Sequence, residues 1–174
     1  MIKTTWKLTL FTLLIALMTA SVATAQGEEP GKTAAVQTTA EHQTVFINQL
    51  IQDNGELYID KDPIQWYEGA AADKAFKENE PDNELDGAPD GYYIVNTAQD
   101  HDKIKVAPDA KVLMQIFDHT GKVEDVDVKW NEVISLAQFE AAYHKTAVLD
   151  LSQFPYHLTI ENGVVTEIVQ QYIP

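Results

Sequence analysis

The sequence predicts one α+β domain built on a mainly antiparallel, twisted sheet with two short helices. Three observations predict it. Asn54-Gly55 and Asn162-Gly163 each lie between two apolar runs, a strong hairpin signal because both central residues must accept positive φ. Val126, Val128 and Trp130 alternate with Asp127 and Lys129, the period-two mark of a strand with one buried face. Helical patterning is confined to two short stretches, and strand and helix do not alternate regularly, which argues against a parallel βαβ architecture.

Residues 1–25 read as a secretory signal peptide. Lys3 and Lys7 give a positive start, Leu8 to Met18 an apolar stretch, and Ala23-Thr24-Ala25 small residues for cleavage. The alternative is an uncleaved anchor helix, which needs about 20 predominantly apolar residues; Thr19 and Ser21 interrupt the run. Cleavage before Gln26 leaves 149 residues and takes the formal charge from −15 to −17. The expected product is secreted or extracytoplasmic, with no membrane span left. Residues 26–43 are polar and small and read as a flexible leader; residues 44–174 form the single domain.

Along that domain, Val45 to Leu50 is strand-like, Asn54-Gly55 turns the chain, and Leu57 to Ile59 resumes extended character. Gly69 to Lys77 is alanine-rich and predicts a short helix with Ala72, Ala75 and Phe76 on one face. An acidic loop follows, Glu78 to Gly91, closed by two prolines and two glycines. Tyr92 to Val95 and Ile104 to Val106 predict strands, Pro108-Asp109 a turn, Lys111 to Phe117 a buried strand, and Val126 to Trp130 a half-buried one. Ser135-Leu136-Ala137-Gln138 has the form of a capping box, opening a helix with Leu136, Phe139 and Tyr143 on one face. The last two strands flank Asn162-Gly163. These strands predict a sheet that curls into an open barrel resembling an OB-fold.

Composition narrows the chemistry. There is no cysteine, which removes disulfides, zinc-thiolate sites and thiol nucleophiles. All 12 basic residues are lysine, so the planar fork that reads phosphate and guanine is missing, and a field at −15 repels polyanions. Nucleic acid is not an expected partner. Ser135 and Ser152 are the only serines after residue 25, and neither sits in a G-x-S-x-G elbow, so no catalytic residue is assigned. No Asn-x-Ser/Thr sequon occurs; with the missing cysteine this fits a bacterial origin.

The acidic loop places six carboxylates within thirteen residues, Glu78, Glu80, Asp82, Glu84, Asp86 and Asp90, hard oxygen ligands suited to calcium. Asp82, Glu84, Asp86 and Gly87 imitate the start of an EF-hand loop, but Pro89 takes its eighth position and Tyr93 the place of the bidentate glutamate. Solvated, mutually repelling charge is the favoured reading. The competing one is an irregular calcium site drawing on Asp82, Glu84, Asp86 and Asp90. Asp100-His101-Asp102 is a weak metal candidate because neighbours on an extended chain point to opposite sides. The same rule splits Trp66-Tyr67 and Tyr92-Tyr93 into a packed and a partly exposed member, leaving Trp66, Tyr92 and Tyr93 as contact candidates.

Gly91-Tyr92-Tyr93-Ile94-Val95-Asn96 after an acidic, Pro-containing loop, with Asn162-Gly163-Val164-Val165, Ile168 and the ending Gln171-Tyr172-Ile173-Pro174, resembles a group of small secreted proteins of Gram-positive bacteria without an assigned activity. Asp60 to Trp66 and the alanine-rich stretch fit the same pattern. The resemblance implies an extracytoplasmic address and a shared fold, with no catalytic residue to transfer. The expected function is a non-enzymatic binding or interaction protein of the cell envelope or exterior. Its partner is a protein, cation or small molecule, and calcium is the one candidate cofactor. The alternative is a small secreted hydrolase using a carboxylate pair, and a third reading is an interaction module that docks by a sheet edge.

Overall fold

A computed structural model describes residues 39–173; the signal-peptide and most of the leader assignments lie outside them. Seven strands and two helices follow in the order β1 (Glu41–Asp53), β2 (Glu56–Glu68), α1 (Gly69–Asn79), β3 (Tyr92–Val95), β4 (Asp102–Asp118), β5 (Val126–Ile134), α2 (Leu136–Tyr143), β6 (Pro155–Glu161) and β7 (Val164–Gln170). The first strand starts at Glu41, ahead of Thr44, because Glu41, His42 and Gln43 pair with Ile160, Thr159 and Leu158 of β6.

Both Asn-Gly turns form as expected. Asn54 and Gly55 have φ of 53° and 82°, and Asn162 and Gly163 have 52° and 76°, the positive pair that matches the twist of adjoining strands. They join β1 to β2 and β6 to β7, with Asp53 opposite Glu56 and Glu161 opposite Val164. The capping box also forms: Ser135 Oγ accepts from the Gln138 amide at 3.2 Å, and Gln138 Oε1 accepts from the Ser135 amide at 3.0 Å.

The barrel is closed, not open. Its ring runs β1–β2–β4–β7–β6 and back to β1. All its pairs are antiparallel except β4–β7. Strand β4 makes the closure. Asp102 to Lys105 pair with β2, and Lys105 to Leu113 pair with β7 on the other side. The turn expected at Pro108-Asp109 is instead a bend within this 17-residue strand. Five steps on β4, from Val106 to Lys111, face two on β7, from Val165 to Glu167. Such an irregularity accommodates a proline that cannot donate to the ladder.

The barrel interior is filled by Val45, Ile47, Ile59, Val112, Met114, Leu158, Val165 and Ile168, each no more than 1% exposed. Helix α2 adds Phe139, fully buried against Tyr156 with ring centroids 5.7 Å apart and edge-to-face. Tyr143, one turn on, donates its hydroxyl to the Ile47 carbonyl, where the register of β1 shifts. Burial and the Asp150 charge hold the Tyr143 phenol well above its ordinary range.

Two amide side chains knit the far end of β4. Gln170 is buried, and its Oε1 accepts from the backbone amides of Gln115 and Ile116, both at 2.9 Å. Gln115 in turn pairs with Asn131, accepting from its backbone amide at 2.8 Å and donating to its side chain at 3.2 Å. Asn131 takes a positive φ of 57°, a conformation asparagine tolerates better than most residues. These bonds occupy the register shift between β4 and β5 at Met114/Ile116.

Strands β2 and β4 both outrun the ring. The last four residues of β2 pair with β3, and the last seven of β4 pair with β5. The described residues therefore form a closed barrel carrying two two-stranded arms.

Candidate functional site

The β2–β3 arm holds the aromatic residues singled out by the sequence. Tyr67 lies opposite Tyr93, and Trp66 opposite Ile94. Alternation along each strand divides the four aromatics between two faces. On one face Tyr67 and Tyr93 pack on a small cluster of Ala72, Phe76 and Ala88, with Phe76 and Tyr93 edge-to-face at 5.6 Å. On the other, Trp66 and Tyr92 stack with centroids 4.7 Å apart and planes inclined by 14°. Both stacked rings are half-exposed, and Trp66 Nε1 donates to Glu68 at 3.0 Å. Tyr93 is thus the packing member of its pair and Tyr92 the presenting one.

Helix α1 covers the Tyr67–Tyr93 face through Ala72 and Phe76, the face the sequence predicts. It has no side-chain N-cap; Gly69 enters with φ of 54°, and its amide donates to the Gly91 carbonyl at 2.9 Å. The acidic loop then folds back. Asp73 accepts from the Ala88 amide at 2.9 Å, and a Cβ on Gly87 would stand 2.2 Å from the same carboxylate oxygen. Only glycine allows that approach without moving Asp73. The Tyr93 hydroxyl donates to Glu80 at 3.3 Å; desolvation, with the Glu80 charge second, raises the Tyr93 phenol above its usual range.

Asp82, Glu84, Asp86 and Asp90 are all exposed. Among the described residues, no three His, Asp or Glu side chains are grouped so as to hold a metal ion. The loop is pinned at Asp73, Glu80 and Gly91.

A second polar cluster, invisible in the sequence, roots the arm in the barrel. Asp62 is 3% exposed and accepts from Asn96 Nδ2 at 2.8 Å and from the Asp100 amide at 2.9 Å. Asn48 donates to the Asp100 carbonyl at 3.1 Å. His101 Nδ1 lies 2.8 Å from Asp60, whose hydrogen bond and charge raise the imidazole's pKa, with Asp62 and Asp100 adding to the effect. Asp102 meets Lys61 instead, a buried lysine on the neighbouring register position. His101 and Asp102 thus diverge, as alternation requires. Asn48, Asp62, Asn96, Gln99, Ser152 and Gln153 line a polar groove of about 410 Å³.

Comparison with known protein families, characterised proteins and solved structures returns no match to this chain. Among the described residues, no helix is long and apolar enough to cross a membrane.

Proposed function

We propose that this chain is an exported, non-enzymatic binding protein whose contact surface is the β2–β3 arm, and that it takes a partner bearing cationic side chains. The single observation that carries the reading is the Trp66–Tyr92 stack, held half-exposed on the face away from α1 and bordered by Glu68. An aromatic face attracts a cation lying over it, by about 0.5–1 kcal/mol at an exposed site. The Glu68 carboxylate beside it and a chain charge of −15 strengthen the preference.

The strand order supports a binding role by analogy only. Numbered within the barrel, the ring is 1-2-3-5-4 with strands three and five parallel, the arrangement of an OB-fold, whose strand 2–3 face and adjoining loops hold ligands. Here α1, the acidic loop and β3 are all inserted between barrel strands two and three. The carboxylate-pair hydrolase gains no comparable support. The buried carboxylates of Asp62 and Asp118 are occupied with loop backbone amides, Asp118 with those of Thr120 and Gly121.

The test is a fluorescence titration of the purified protein with octalysine, against a neutral peptide of equal length. Saturable quenching by octalysine alone is expected, weakened by added salt and by roughly two- to fivefold in Trp66→Ala or Tyr92→Ala, the fold-change of one exposed cation–π contact. Equal responses to the two peptides, or an unchanged affinity in both variants, would refute the reading.

A further inference from the structure

Strand β5 closes nothing. It pairs with β4 along one side and stands at the end of the sheet order, so among the described residues its other edge presents unpaired backbone donors and acceptors. Natural edges of this kind are blunted with charge, proline or brevity. This one is nine residues long and has no proline, and its charges, Asp127, Lys129 and Glu132, are interleaved with apolar side chains. Of five exposed large hydrophobic residues among the described residues, Val128, Trp130 and Val133 lie on β5 and Val123 just before it. Trp130 and Val133 are 67% and 66% exposed, so the buried face that alternation predicts for Val126–Trp130 does not form, because β5 lies outside the barrel ring.

We propose that β5 is a self-association edge, pairing antiparallel with β5 of a second copy about a two-fold axis through Val128. The argument for a second copy is the strand's own charge pattern. A two-fold interface must be self-complementary: if residue i meets residue j, then j meets i. Centred on Val128, Asp127 of each copy lies opposite Lys129 of the other, and Val126 opposite Trp130. Opposite charges directly across a pair are favourable and like charges unfavourable. Neighbouring registers fail by the same rule. Centring on Lys129 sets lysine against lysine, and centring on Asp127 sets aspartate against aspartate.

Beyond Trp130 the next charge, Glu132, is already engaged. Glu132 already holds His119 at 3.0 Å and Lys129 of its own strand at 3.9 Å. The positive φ at Asn131 also interrupts the extended run there. The straight, alternating stretch available for pairing is Val126–Trp130, and its charge order is the one a two-fold axis requires. Trp130, resting edge-on against Tyr172 at 5.5 Å, would be covered by Val126 of the second copy.

The experiment is sedimentation equilibrium of the purified protein across a hundredfold concentration range, with four variants. The native protein is expected to show a concentration-dependent monomer–dimer equilibrium. Val128→Lys, which sets like charges on the axis, should leave monomer only, with an unfolding midpoint within a few degrees of native. Asp127→Lys and Lys129→Asp should each weaken dimerisation at least tenfold, and the double exchange should restore it, because reversing both charges preserves the complementarity. A native monomer at every concentration would overturn the proposal. So would a dimer indifferent to Val128→Lys, or a double exchange no better than either single change.

Discussion

Replacing Gln170 by methionine tests the amide network that holds β4 in its irregular register. Methionine keeps the length of the buried side chain and removes its polar end, so little cavity is made. The Gln115 and Ile116 amides then lose their acceptor. Leaving a buried donor unsatisfied costs about 1–3 kcal/mol, and the half-buried Ile116 belongs near the lower end. Against this, Gln170 Nε2 has no partner in the native protein, so removing it returns about 1 kcal/mol. The net loss is about 1–3 kcal/mol. A domain of this size loses roughly 3–5 °C per kcal/mol, which places the fall in midpoint at about 3–15 °C by calorimetry. Hydrogen exchange would locate it, with the Gln115 and Ile116 amides accelerating most. A fall below about 2 °C, or acceleration spread evenly over the barrel, would refute the claim that Gln170 holds this register.

His101 should titrate by NMR above the ordinary imidazole range and return toward it in Asp60→Asn. Its folded pKa is raised, so the stability it adds is complete below the unfolded value, about 6.5. That stability disappears as pH climbs through the folded value. Asp60→Asn should flatten this slope, and an unchanged slope would show that the pair contributes nothing. Ser135→Ala removes the acceptor for the Gln138 amide and should cost about 1 kcal/mol, measured by urea unfolding with an unchanged slope. Midpoints in millimolar calcium and in chelator should agree at matched ionic strength, since Asp82, Glu84, Asp86 and Asp90 do not converge. A calcium-dependent rise of several degrees, abolished by Asp82→Asn with Asp86→Asn, would reveal a site that assembles around the ion.

What was legible in the sequence was local. Asn54-Gly55, Asn162-Gly163 and Ser135–Gln138 specify their structures through bonds and dihedrals within four residues, so reading them required no knowledge of the rest of the chain. The buried face of α1 was legible for the same reason: Ala72, Ala75 and Phe76 recur at helical spacing. Pro108 misled because a proline in a strand reads as a break, whereas β4 bends there and continues to seal the ring. Closure was not legible either, because it rests on β4 pairing with β7 across more than 50 residues. The arm was half legible. Alternation separated Tyr92 from Tyr93, but pairing Trp66 with Tyr92 depends on a register set across 23 residues of helix and loop. Nothing local connects Asp62 with Asn96 or Asp60 with His101; those contacts exist only once β2 and β4 lie side by side.

The parallel pairing of β4 with β7 also sets the timing of folding. The middle of β4 is complete at Lys111, yet its partner there is Glu167, 56 residues later and only seven from the end of the chain. Contacts of such long separation cost loop-closure entropy before they return any stabilisation, and they slow folding. A chain delivered from its N-terminus would hold β1 and β2 as a hairpin, and β6 against β1, while β4 and β6 waited with bare margins. Val164–Gln170 fills both gaps at once, pairing with β6 on one side and β4 on the other. Its seven residues act as a keystone, so losing them would undo far more of the molecule than their length implies.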